Sequence, residues 1–165
     1  MRRQPWRDRC LGHGPGAGRG GRRGAALVEF VIVVPLLLLL LLGIMEFGMV
    51  MHDYIMLAQG AREGARTAAI GRPVKEIQSR VIAASLPGVT PDMVRITELD
   101  PATGGWATVA DSASGTANDV PHDGIVRVTI QDYPHRMVTG NFFAWLPGYS
   151  NGFMNLSASL TMRRE

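Results

Sequence analysis

Three histidines, His52, His122 and His135, lie outside the first twenty residues, and they are far apart with no His-x-x-x-His pair. That spacing does not build an imidazole metal site. Asp119, Asp123 and Asp132 carry oxygen ligands of the kind calcium takes. Neither an EF-hand loop nor a nonapeptide repeat frames them, so they read as solvated loop acids. Gly16-Ala17-Gly18-Arg19-Gly20-Gly21 satisfies G-x-G-x-x-G, but no strand precedes it, so it is not a dinucleotide fingerprint. The single cysteine, Cys10, excludes an internal disulfide and any multi-cysteine metal site. No Gly-x-Ser-x-Gly elbow, P-loop or pair of catalytic carboxylates can be argued. The chain therefore reads as a non-enzyme with no cofactor and no metal. The one acid whose position is chemically unusual is Glu29, near the start of a long apolar run. A carboxylate inside a membrane helix costs on the order of a few kcal/mol and usually has a partner.

The elements around Glu29 set what it can do. The chain has 165 residues, 46% of them hydrophobic and 19% charged. Residues 1–24 hold seven Arg and one acid, whereas residues 25–165 hold ten basic and thirteen acidic residues. The net charge of +3 is thus a basic leader set against a mildly acidic body. The body offers no basic face to a phosphate backbone, so nucleic acid is not an expected partner. Residues 30–45 are free of charge, and 25–51 carry only Glu29 and Glu46. Such a run is long enough to cross a bilayer, whose core needs roughly 20 apolar residues. The Arg cluster precedes the run, and the first basic residue after it is Arg62. The positive-inside rule then puts the N-terminus in the cytoplasm and the rest outside the inner membrane. Pro35 removes one helix hydrogen bond and can kink the span.

Arg22-Arg23-Gly24, then Ala25-Ala26-Leu27-Val28-Glu29-Phe30, then the apolar run, together resemble the class III signal of type IV pilins and pseudopilins. The resemblance continues through Gly43-Ile44-Met45-Glu46-Phe47-Gly48 into Ala61-Arg62-Glu63-Gly64-Ala65-Arg66. This sequence is similar to the TadE-like family, pseudopilins of Tad (tight adherence, Flp) pilus assembly systems. The similarity covers about residues 22–70 and, more weakly and by strand pattern alone, 120–163. It implies cleavage between Gly24 and Ala25 by a prepilin peptidase. Glu29 would become the fifth mature residue, followed by Phe30, and would set subunit register by pairing with the α-amine of a neighbour. The implied partners are the peptidase, other Tad pilins or pseudopilins, inner-membrane platform proteins and the lipid bilayer. The implied role is a minor one in initiation, tip capping or assembly, because Flp-type major pilins are much shorter. The alternative is an uncleaved single-pass membrane protein whose outer domain senses or binds a ligand.

Nothing in the sequence interrupts residues 36–70, so one helix is expected from about 25 to 70, roughly 69 Å long. The expected organisation is a cleaved leader over 1–24, a transmembrane helix over 25–50, a helical stem over 51–72 and an extracytoplasmic domain over 73–165. Gly60, Ala61, Gly64, Ala65 and Ala69 give the stem a face of small residues suited to close helix packing, either on the protein's own sheet or on another subunit. Glu63 and Arg66 are spaced for an ion pair. Pro73 followed by Val74, Ile77, Val81 and Ile82 predicts a short amphipathic helix ending near Leu86-Pro87-Gly88. Strands are expected at 94–99, 106–109, 124–130 and 156–162, with a loop over 110–124. Phe142, Phe143 and Trp145 read as core, with an exposed adhesive patch as the other possibility. The fold class is α+β: a long N-terminal transmembrane and stem helix, a second short helix, and a small antiparallel sheet.

Overall fold

In the computed structural model, the described residues are 20–143 and 149–165. The leader up to residue 19, with Cys10, and Trp145 of the apolar patch lie outside them, as does the side chain of Phe143. The chain divides into two units, one ending at Leu40 and the other running from Leu41 to Glu165.

Helix α1 spans Gly20–Ala69 without a break at Pro35. It starts several residues upstream of the expected position, because Gly24 continues the helix. In the first unit it is a bare apolar rod. Leu27, Phe30, Ile32 and Leu36–Leu40 are all exposed, and none of its most apolar 18-residue window is buried.

In the second unit the lower face of α1 changes from leucine to small residues. Leu57, Ala61, Ala65 and Ala68 recur at helical spacing, and all are fully buried. Their size lets two other elements come close. A Cβ at Gly60 would overlap Ser85, and one at Gly64 would overlap Val81 Cγ2 and lie 3.1 Å from Val128 Cγ1. Helix α2, Val74–Ala84, packs there through Ile77 and Val81, and its first N–H donates to Asp111 Oδ1 at 2.6 Å. The α1 C-terminus closes as a Schellman turn: Gly71 at φ +80° donates to Ala68 O, and Arg72 donates to Thr67 O. Asn118, almost wholly buried, donates from Nδ2 to Ala68 O and Arg72 O, both at 3.0 Å. The Glu165 N–H donates to Ala69 O, so the carbonyls of Arg66–Ala69 all have donors.

The sheet is antiparallel in the order β2-β1-β3-β5-β4. Its strands are β1 (Val94–Leu99), β2 (Trp106–Thr108), β3 (Ile125–Arg136), β4 (Tyr149–Ser150) and β5 (Phe153–Arg163). Val94 and Ile96, Val126, Val128 and Ile130, and Leu156 and Ala158 face inward and form one core with the helices. The α+β plan expected from the sequence is the one observed.

Strand β3 runs six residues further than its alternation predicts, because a bulge interrupts it. Ile130 pairs with Ala158 but Tyr133 pairs with Leu156, so Gln131 and Asp132 face a single partner residue. Asp132 takes φ +54° and donates its N–H to Ser157 Oγ. The extra residue moves the inward face from even to odd positions. Tyr133 and His135 turn toward α1 as a result. Strand β1 covers β3 only as far as Ile130, which leaves an edge where Pro134, lacking an N–H, is tolerated.

Candidate functional site

The residues singled out by the sequence fall into two groups. Gly24, Ala25, Glu29 and Phe30 lie in exposed α1, in the unit that ends at Leu40. Nothing lies within 4 Å of a Cβ built on Gly24. Phe30 is 63% exposed. The Glu29 side chain has no hydrogen bond or ion pair among the described residues. Gly60, Ala61, Gly64, Ala65 and Ala69 are all buried in the second unit, with Gly60 and Gly64 against α2. Glu63 and Arg66 form no ion pair. The half-buried Glu63 instead offers its carbonyl to Thr67 Oγ1, and Arg72 approaches Glu76 at 3.9 Å. Phe142 is exposed rather than core, because the turn over Gly140–Phe143 leaves the sheet.

Two polar arrangements on the stem had no assigned role in the sequence. The first is Glu46, only 3% exposed. Its carboxylate accepts the N–H of Val138 at 2.9 Å on Oε1 and of Thr139 at 3.1 Å on Oε2. Both oxygens are held by backbone donors, so a charge left after a run of apolar residues is matched. Glu46 stood out in the sequence as the last acid of the apolar stretch, but its acceptor role needs a loop about ninety residues away. The second is Asp53, whose Oδ2 accepts the Nδ1–H of buried His135 at 2.7 Å. Burial raises the pKa of the neighbouring Tyr133, and the Asp53 charge adds to that rise. The Tyr133 hydroxyl donates to Pro87 O at 3.1 Å.

These groups fasten the sheet to the stem. His122 meets the carbonyl of Glu165 and His135 meets Asp53, so these two histidines have different partners. Among the described residues no cluster of three metal-ligating side chains occurs. Replacing Asp53 with Ala leaves the His135 Nδ1–H buried without an acceptor. The expected cost is about 1–3 kcal/mol, measured as a lowered denaturation midpoint of the full chain in detergent micelles. An unchanged midpoint would show that the pair contributes nothing.

Comparison with curated proteins and with solved structures finds no match for the chain. A family model described as TadE-like protein matches residues 24–66, from the glycine before Ala25 to the arginine that closes the Ala61–Arg66 segment. That stretch, 43 of the 165 residues, is similar to the TadE-like family, in agreement with the resemblance its motifs carry.

Proposed function

We propose that this protein is a non-catalytic pseudopilin-type component of a Tad pilus assembly system. It enters the inner membrane with its basic N-terminus in the cytoplasm, and a prepilin peptidase cleaves it between Gly24 and Ala25. The observation that carries this reading is the asymmetry of α1. Its stem half buries one face, Leu57, Ala61, Ala65 and Ala68, on its own domain, whereas residues 24–45 are bare apolar surface carrying one acid, Glu29. Bare apolar surface suits lipid, and a membrane acid without an internal partner calls for an external one. The α-amine released at Ala25 of an adjacent subunit is a partner of the right charge. Such a pair reduces the cost of both charges in a low-dielectric bundle and fixes the axial step between helices. Gly24 favours cleavage at this point, because glycine within a helix is about 1 kcal/mol less favourable than alanine and unwinds more readily. Since Glu46 belongs to the folded outer unit, the span is best placed over residues 25–45. At 1.5 Å per residue that is about 31 Å, close to the bilayer core of about 30 Å.

The test is the intact mass and N-terminal sequence of membrane-extracted protein, with and without a co-expressed prepilin peptidase. A new N-terminus at Ala25 that depends on the peptidase and disappears in Gly24→Leu is expected. Glu29→Ala is expected to be processed but to lose co-purification with pilin partners. An intact leader in cells with an active peptidase overturns this reading and favours an uncleaved single-pass protein with a ligand-binding outer domain.

A further inference from the structure

We propose that the outer domain has a second membrane contact: the turn after β3, which rests on the phospholipid headgroups beside the spanning helix. This rests on the membrane-spanning reading of residues 25–45. Glu46 is the first charged residue after that apolar run, which places it at the boundary between hydrocarbon and water. Its two carboxylate oxygens take the N–H groups of Val138 and Thr139 at 2.9 and 3.1 Å. The turn is therefore tied to α1 at the level of the boundary and cannot stand far from it.

What the turn presents is apolar. Val138 is 61% exposed and Phe142 59%. Phe153, at the start of β5, is 42% exposed and shares a shallow cleft with Val138. Phe47, next to Glu46 on α1, is 67% exposed. Large apolar residues on water-facing turns are unfavourable, but amphipathic surfaces seat such residues about 5–10 Å into the headgroup and acyl boundary. The charges nearby agree with lipid. Exposed Arg136 lines the same cleft, while Glu46 and Asp53, the acids of this end, are engaged by the turn and by His135. Anionic headgroups attract a basic residue in that position. At the opposite end of the sheet, by contrast, Arg163 pairs with Asp123 at 3.3 Å and the next two residues reach Gly124 and the α1 terminus at Ala69.

The experiment uses the full chain carrying Cys10→Ser, reconstituted in phosphatidylcholine vesicles containing phosphatidylglycerol. Single variants Val138→Cys, Leu37→Cys and Arg163→Cys each carry an environment-sensitive fluorophore, and lipids bearing quenchers at shallow or deep positions are added. The expected result is loss of Val138-site fluorescence to the shallow quencher, loss of Leu37-site fluorescence to the deep one, and no loss at Arg163. Adding Arg136→Glu should reduce quenching at Val138 in anionic vesicles and not in neutral ones. Quenching at Leu37 with none at Val138 overturns the second contact and leaves the span intact. No quenching at Leu37 overturns the spanning reading itself. A blue shift at Val138 that grows with protein-to-lipid ratio, without lipid quenching, means that a second copy covers the turn, and it too overturns the proposal. Val138 quenching that ignores Arg136→Glu removes the headgroup charge from the contact and overturns it in this form.

Discussion

Gly64→Val is expected to lower the stability of the outer domain by about 3 kcal/mol, the upper end for overpacking in a well-filled core. The new side chain has nowhere to go. Its Cβ alone overlaps Val81 of α2, and Val128 of β3 lies 3.1 Å from it. Neither neighbour is the free end of a long side chain. Both are short branched residues that are fully buried in the shared core, so relief requires α1, α2 or β3 to move. Gly48→Ala is the informative contrast on the same helix. Nothing lies within 4 Å of its Cβ, and the substitution should gain up to about 1 kcal/mol from helix propensity. Thermal denaturation followed by near-ultraviolet circular dichroism in micelles separates the two. Gly64→Val should lose about 10–20 °C and Gly48→Ala should lose nothing. Equal midpoints for Gly64→Val and the parent would mean that α2 does not pack against this face.

Glu46→Ala is expected to release the turn after β3 rather than unfold the whole domain. Two backbone N–H groups, those of Val138 and Thr139, lose a charged acceptor, and hydrogen bonds to a charged group contribute about 1.5–3 kcal/mol each. Water reaches the exposed side of the turn and restores part of this, so a local loss of about 2–4 kcal/mol is expected. Amide hydrogen exchange reads it directly. Protection at Val138 and Thr139 should fall by about a hundredfold, since each 1.4 kcal/mol is a factor of ten. The amides of Val126–Ile130, paired on both sides by β1 and β5, should keep theirs. Glu46→Gln retains one acceptor oxygen and should fall between. If protection at the two amides is unchanged in Glu46→Ala, the carboxylate does not hold the turn.

Local pattern was enough for the helices and most of the sheet. The end of α1 was legible because Gly71-Arg72-Pro73 is a stop signal that needs no tertiary context, and β1 matched its alternation over Val94–Leu99. Strand β3 was cut short at Ile130 because alternation fails at Gln131 and Asp132, where the bulge adds a residue. His135 then fell outside every expected strand, although the bulge aims it at Asp53. Glu46 and Asn118 were illegible for a related reason. Each satisfies backbone groups that only the completed topology brings near, and no short-range spacing encodes such a pairing. Gly24 and Glu29 were the reverse case. Their meaning lies in sequence spacing and in resemblance, and the folded chain adds only that they stand on bare helix.

The sheet order has a consequence for biogenesis. Strand β3 lies between β1 and β5, and β5 is the last strand in chain order. Until Phe153–Arg163 has been synthesised, one side of β3 is open, and the Glu165 N–H that meets Ala69 O has not yet arrived. The Leu57–Ala69 face of α1, made long before, cannot be fully covered in that interval. If the helix spans the membrane as proposed, its insertion precedes completion of the outer fold. Under the proposed membrane reading, a newly inserted chain passes through a stage in which α2 already covers Gly60 and Gly64 while β3 still lacks its partner β5, and arrival of the final strand ends that stage.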